Sequence, residues 1–297
     1  MASFRTAGLC IAAPALAIIV VMTRAGDRPD EPPPEASGVT PGPGTLAGAV
    51  AVTRAATSGR VELETTVPGP TGPVSLVHRA AFAGGGARAQ ASSDLSQVAA
   101  ALDAAGRRLD GDWTQPTGVV VDGGTVYSQL GPMAEALGRA PDDWVSAPLP
   151  DVAGSGAVAD NDTLALALDP LGSLDLLLRP VVEIGSVGRD DVGGTAAEHL
   201  RASLDLTGGE GGPPAPGSFE GRLLAAGLDR LPVDVWVDAA GAVRRFELTV
   251  DGAGSLTTRF DAYDLGADVE VEVPDPEDVI SPATGGPPTG GTAGTGG

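Results

Sequence analysis

Residues Leu231 to Pro276 constrain this chain most, because four apolar-alternating runs there are divided by Asp-Ala-Ala-Gly, Asp-Gly-Ala-Gly and Leu-Gly-Ala-Asp turn chemistry. Val233, Val235 and Val237 fall on one face, with Asp234 and Asp238 on the other. Phe246, Leu248 and Val250 oppose Arg245, Glu247 and Thr249, and Val269, Val271 and Val273 alternate with Asp268, Glu270 and Glu272. A period of two gives each strand one dry and one wet face. The runs therefore predict an antiparallel meander covered on one side only. Trp236 falls on the wet face, where a loop or the N-terminal helix is expected to cover it, a partner site being the alternative.

The remaining body reads as strands, then a helical block, then strands. Leu46 to Ala56 has a helical pattern, and Val61, Leu63 and Thr65 share one face of the strand that follows. A second strand carries Leu76, His78, Ala80 and Phe82; a third, near Arg88 to Ser92, leads to Asp94, a residue suited to capping the next helix. Gly118 to Gln129 predicts a hairpin turning at Asp122-Gly123-Gly124. Leu164 to Leu178 is strongly apolar and predicts helix, with Pro170 either dividing it or starting a helix capped by Asp169. Glu183 to Leu206 predicts a second hairpin turning at Arg189-Asp190-Asp191, with Leu200, Ala202, Leu204 and Leu206 inward. Gly208 to Gly217 reads as a loop, and Phe219 to Leu228 as helix. The order suits an α+β arrangement, one large antiparallel sheet with helices gathered on one face.

The two ends are of different material. Arg5 precedes an apolar run from Ala7 to Met22, the order of an export signal. The expectation is an uncleaved signal anchor over residues 1–25, with cleavage after Ala25 as the alternative; both put the body outside the cytoplasm. A Pro-rich linker is expected over 26–44, one domain over 45–280, and a Gly/Pro/Thr tail over 281–297, because neither linker nor tail can offset the cost of backbone ordering. The net charge is −21, which repels nucleic-acid phosphate, so no nucleic-acid partner is expected. The single Cys10 leaves no intrachain disulfide and no multi-Cys metal site.

Chemical motifs are missing where an enzyme would show them. His78 and His199, the only histidines, stand in no metal-ligand spacing, and each is expected on a strand, partly buried or at the sheet surface. There is no G-x-S-x-G elbow, no phosphate-binding loop and no G-x-G-x-x-G after a strand. Asp160-Asn161-Asp162 lacks the Gly and distal Glu of a calcium loop and reads as a solvated loop or helix cap. No catalytic residues, metal or cofactor are assigned.

Gly124-Thr-Val-Tyr127 followed by Trp144-Val145 resembles the central region of the actinobacterial LppX/LprAFG group of envelope lipoproteins. Leu231-Pro-Val-Asp-Val-Trp-Val-Asp238, Arg244-Arg-Phe246 and Thr257-Thr-Arg-Phe-Asp-Ala-Tyr-Asp-Leu-Gly266 are similar to that group's C-terminal meander. The resemblance spans most of Thr45 to Pro276. It implies a LolA-like fold: a curved antiparallel sheet forming an incomplete β-barrel, with helices on its concave face and an apolar cavity for the acyl chains of lipids or glycolipids. The chain departs from the group in two places. Cys10 precedes most of the apolar run, where the group carries its lipidated Cys just after it, and Leu200 follows His199 where the group often has an aromatic residue.

Under that resemblance the protein is expected to be a lipid-binding or lipid-transfer protein on the outer face of the cell membrane. Its cavity would be lined by Val61, Leu63, Val119, Val121, Leu204, Val235, Phe246 and Leu248 from the sheet, and by Leu174, Leu176 and Leu177 from the helical block. The same residues equally suit a closed core. The alternative is then a non-enzymatic envelope interaction or regulatory module of the same fold, with an envelope protein as partner.

Overall fold

The computed structural model describes residues 44–69, 72–107, 111–135, 138–154, 162–208, 214, 219–250 and 255–280. The export segment, the linker, the C-terminal tail and most of the Gly208–Gly217 loop lie outside them, as do Asp160 and Asn161. Among the described residues no helix is long and apolar enough to cross a membrane.

Twelve strands form one open, curved sheet. Strands β1 (Gly59–Gly69), β2 (Gly72–Ala83), β3 (Arg88–Asp94), β4 (Thr117–Asp122), β5 (Thr125–Gln129) and β6 (Trp144–Pro148) follow one another as a first meander. Strands β7 (Val181–Val192), β8 (Thr195–Asp205), β9 (Arg230–Asp238), β10 (Val243–Val250) and β11 (Leu256–Tyr263) form a second. The seam between them is the antiparallel pair β1–β11, with Val61 opposite Ala262 and Leu63 opposite Phe260. A short β12 (Val279–Ile280) adds in parallel to β6 at Trp144 and Val145. The two edges, β7 and β12, do not meet.

Cross-strand register carries the dry face through both meanders. Val61 lies opposite Ala80, Ala80 opposite Ala91, Ala91 opposite Val119, and Val121 opposite Val126. On the other side of the seam Phe260 lies opposite Phe246, Phe246 opposite Val235, and Val235 opposite Leu200. The rings of Phe246 and Phe260 stack with centroids 5.2 Å apart. Because side chains alternate, a one-residue slip in any pair would turn this row toward water, so the apolar pattern itself fixes the register.

Helices cover that face in short pieces. Helix α1 (Gly44–Arg54) packs on the 3-10 segment Gly172–Leu178 and on β10. Helix α2 (Ser96–Ala104) leans on β2, and α3 (Leu149–Gly154) on β5 and β6. Helix α4 (Asp162–Leu168) lies across β2, β3 and β4, and α5 (Phe219–Ala225) precedes β9. The apolar stretch Leu164 to Leu178 is divided at Pro170, one of the two arrangements its sequence predicts, because Pro cannot supply the N–H that would continue α4. Thr53 joins α1 to the sheet: its hydroxyl donates to the Ala49 carbonyl and accepts the Val243 N–H at 2.8 Å, both buried.

Four sequence expectations are corrected. The alternating run Val269 to Val273 is not a fourth strand of the meander. It crosses the outer face as a strap, burying Val269 and Val271, and is held where the Glu272 N–H donates to the Gln90 side chain at 3.0 Å. The β7–β8 hairpin turns at Gly193-Gly194, with φ of +60° and +82°, and not at Arg189-Asp190-Asp191, which continue β7. Paired glycines tolerate the left-handed turn that matches strand twist, whereas the charged triplet does not. Asp238 keeps the face of Trp236 but is buried instead of solvated, since its carboxylate turns back to accept the Ala240 and Ala242 N–H groups, each at 2.9 Å, and that of Arg244 Nε at 2.6 Å. Among the described residues the partners that Trp236 shows are strand residues and not a loop or α1. Its ring stacks on His199 with centroids 4.2 Å apart, and its Nε1 donates to Asp190 at 2.8 Å.

Candidate functional site

The concave side joins the expected lining residues in one continuous apolar cluster. Val61, Val119, Val121, Leu204, Val235, Phe246 and Leu248 approach it from the sheet, and Leu174, Leu176 and Leu177 from the 3-10 segment. All ten are between 0% and 6% exposed, so their atoms pack against protein and not against a water-sized void; Leu63 is half-buried at the cluster's margin. Leu46 and Val50 of α1, Leu164 and Leu166 of α4, and Leu223 of α5 complete the packing. The segregation of apolar groups is complete enough for an acyl environment, and in this conformation protein side chains fill it.

One part of the concave face is polar. His78 on β2 and Ser93 on β3 are direct cross-strand partners, and the imidazole Nδ1 meets the Ser93 hydroxyl. The same hydroxyl meets that of Thr163, which α4 brings down onto the sheet. The three residues are 5%, 2% and 8% exposed, so the cluster is shut away from solvent. Burial lowers the pKa of His78 from its ordinary value, and the Asp162 carboxylate at the start of α4 partly opposes that shift. A Ser beside a His suggests nucleophilic chemistry, yet the hydroxyl is sealed beneath α4 with no room for a substrate carbonyl beside it. Sequence analysis put His78 on a strand with Ala80 and Phe82, partly buried or at the sheet surface, and did not find its partners. Ser93 becomes visible only through register, and Thr163 only through the packing of α4.

The convex face has a different character. His199 presents Nε2 to Asp234 at 2.7 Å and Nδ1 to Asp190 at 3.3 Å while stacking on Trp236. Arg201 also donates to Asp234 at 2.9 Å and Arg245 to Asp261 at 2.6 Å, while Arg259 Nε lies 2.8 Å from Asp261 as an ion pair without hydrogen-bond geometry. Such pairs contribute about 0–1 kcal/mol each and mostly let carboxylates and guanidinium groups crowd together without repulsion. Where the strap crosses, a groove of about 610 Å³ opens between Trp144, Tyr263, Gln90, Gln129 and Arg79. None of its walls belongs to the apolar helical cover. Among the described residues no group of acidic, His and Cys side chains could hold a metal ion.

Fold and site together define a class: an open half-barrel whose apolar concave face is plugged by short helices. No family model and no curated protein sequence matches this chain. It is similar to the crystal structure of LprF from Mycobacterium bovis, over 80% of this chain and 99% of that one, at 16% identity and a TM-score of 0.44. It is also similar to the lipoprotein LppX of Mycobacterium tuberculosis, over 77% and 99% of the two chains, at 12% identity and a TM-score of 0.40. A LolA superfamily protein from Nitrosomonas europaea aligns over 79% and 96%, at 9% identity and a TM-score of 0.22. At these values the likeness is one of fold, and no ligand passes from these proteins to this chain.

Proposed function

We propose that this protein is a non-enzymatic lipid-binding or lipid-transfer protein of the cell envelope, receiving acyl chains between the concave sheet face and the helices. In this reading its N-terminal segment attaches it to the outer face of the cytoplasmic membrane. The observation that carries the reading is an apolar face that runs through both meanders, interrupted at the His78–Ser93 pair, and is covered by short separate helical pieces and not by a second sheet. The arrangement described is the closed state, in which Leu164, Leu166, Leu174 and Leu177 occupy the space an acyl chain would take. Burial is worth about 0.8 kcal/mol per CH₂ in such a site and much the same in a bilayer. Exchange of a lipid with the membrane is then near balance, and the cost of displacing the helices decides its direction.

The test is isolation of the full chain from envelope membranes, mass spectrometry of its organic extract, and titration of the delipidated protein with a fluorescent fatty acid. Stoichiometric lipid and saturable uptake are expected. Protein that is lipid-free and takes up no probe would refute the reading. The second reading, a filled-core interaction module, is favoured by the near-complete burial of the ten lining residues. It would gain if such lipid-free protein kept a defined envelope partner through purification.

A further inference from the structure

We infer that α4 is the detachable cover of the acyl site, and that His78 and Ser93, which it hides, receive the carbonyl head of the incoming acyl chain. This inference rests on the lipid-binding reading above and adds the location and chemistry of the ligand's polar end. The argument begins with an anomaly of composition. Among the described residues, His78 and Ser93 are the buried polar side chains on the concave sheet face, and α4 meets them with Thr163 while its other buried residues, Leu164, Leu166 and Ala167, are apolar.

A polar cluster gives an interface a property that an apolar one lacks. If α4 were seated on valine or leucine throughout, lifting it would expose apolar surface everywhere. Lifting it from His78 and Ser93 instead exposes groups that regain hydrogen bonds to water, so the cluster lowers the cost of opening at that spot. The exposed groups cannot stay unpaired once the site closes around a ligand, because a buried donor or acceptor without a partner is costly. A hydrocarbon tail cannot satisfy them, whereas a carboxyl or ester carbonyl can accept the Ser93 O–H in place of the lost Thr163 contact. Binding sites that are mostly apolar with a few convergent polar groups set ligand orientation in this way. The tail would then run from β2 and β3 toward Val61 and Phe246, where Leu174 and Leu177 of the 3-10 segment give way.

The experiment compares palmitate, methyl palmitate and hexadecane as competitors for a fluorescent fatty acid on the delipidated full chain, in wild type and in Ser93→Ala. The expected result is that wild type binds a carbonyl-bearing ligand about tenfold more tightly than hexadecane, and that Ser93→Ala removes most of this preference while hexadecane binding persists. Retention of both palmitate and its ester supports recognition of the carbonyl and points to ester lipids. Retention of palmitate alone supports it with free fatty acid as the source. Equal binding of all three ligands by wild type would overturn the inference while leaving the acyl-site reading intact, and needs no variant to be seen. Binding of none of them would remove the acyl site itself and the inference with it.

Discussion

Replacing Leu174 by alanine tests whether the 3-10 segment is both core and movable plug. Leu174 is 0% exposed and lies in the cluster that joins α1, the 3-10 segment and the sheet. Removing a fully buried isobutyl group loses its transfer free energy and leaves a cavity that short helical pieces fill only in part. Leu→Ala changes of this kind cost about 2.7–5 kcal/mol. Each kcal/mol moves the midpoint of a domain this size by about 2–4 °C, so a cost near 3 kcal/mol lowers Tm by roughly 6–12 °C. Calorimetry and urea titration of the delipidated protein would measure the loss. The acyl-site reading adds a second expectation: a fatty acid that occupies the vacated volume should recover more of the loss in the variant than it adds to wild type. A destabilisation below about 1 kcal/mol would show that Leu174 is not packed as described. A full loss without preferential recovery would mean that the void is closed to lipid.

Three further outcomes follow from the polar groups. Asp238→Ala removes the acceptor of two turn N–H groups and Arg244, and should cost about 1–3 kcal/mol, read by urea denaturation. Burial acts to raise the Asp238 pKa, but the Ala242 N–H, Arg244 and the Ala240 N–H outweigh it and hold the carboxyl below its ordinary 3.8. Its contribution is therefore present above that value and lost as pH falls through the lower folded value, a loss that Asp238→Asn should blunt in acid titrations. His78 works in the opposite sense. Its folded pKa lies below the ordinary 6.5, so the folded state binds fewer protons and stability declines as pH drops from 6.5 toward the folded value. The slope is at most about 1.4 kcal/mol per pH unit, and urea midpoints of His78→Leu should lose this dependence, with His199 the histidine that remains. Thr53→Val leaves the buried Val243 N–H without its acceptor and should cost about 1–3 kcal/mol in the same assay.

Much of this architecture was legible because period-two alternation is a local signal that survives in each strand. Val233 and Val235, Phe246 and Leu248, and Leu200, Ala202, Leu204 and Leu206 all face inward as their spacing implies. The run Val269 to Val273 misled for an instructive reason. A strap laid across a sheet also needs one face in and one face out, so alternation alone does not separate a strand from an extended segment packed by its side chains. At the β7–β8 turn the charged triplet Arg189-Asp190-Asp191 and the pair Gly193-Gly194 both carry turn chemistry, and the glycines prevail because they accept positive φ. The expected lining residues do share one surface, yet spacing could not tell a lining from a plug: Leu174, Leu176 and Leu177 fill the space that the sheet residues enclose. The His78–Ser93–Thr163 cluster was beyond reach, since it depends on how two neighbouring strands align and on where a seven-residue helix lands.

The pairing of Val61 with Ala262 has a consequence for how such a chain comes into being. The sheet is two meanders sewn along a single line, and one side of that stitching is made last. During synthesis the first meander must wait, with the free edge of β1 bare, until β11 has been made. An unpaired strand edge invites pairing with strangers, and contacts this distant along the chain form slowly. The maturing protein is thus most vulnerable at its centre, and a chaperone that shields β1 would have more effect on yield than one that guards either outer rim.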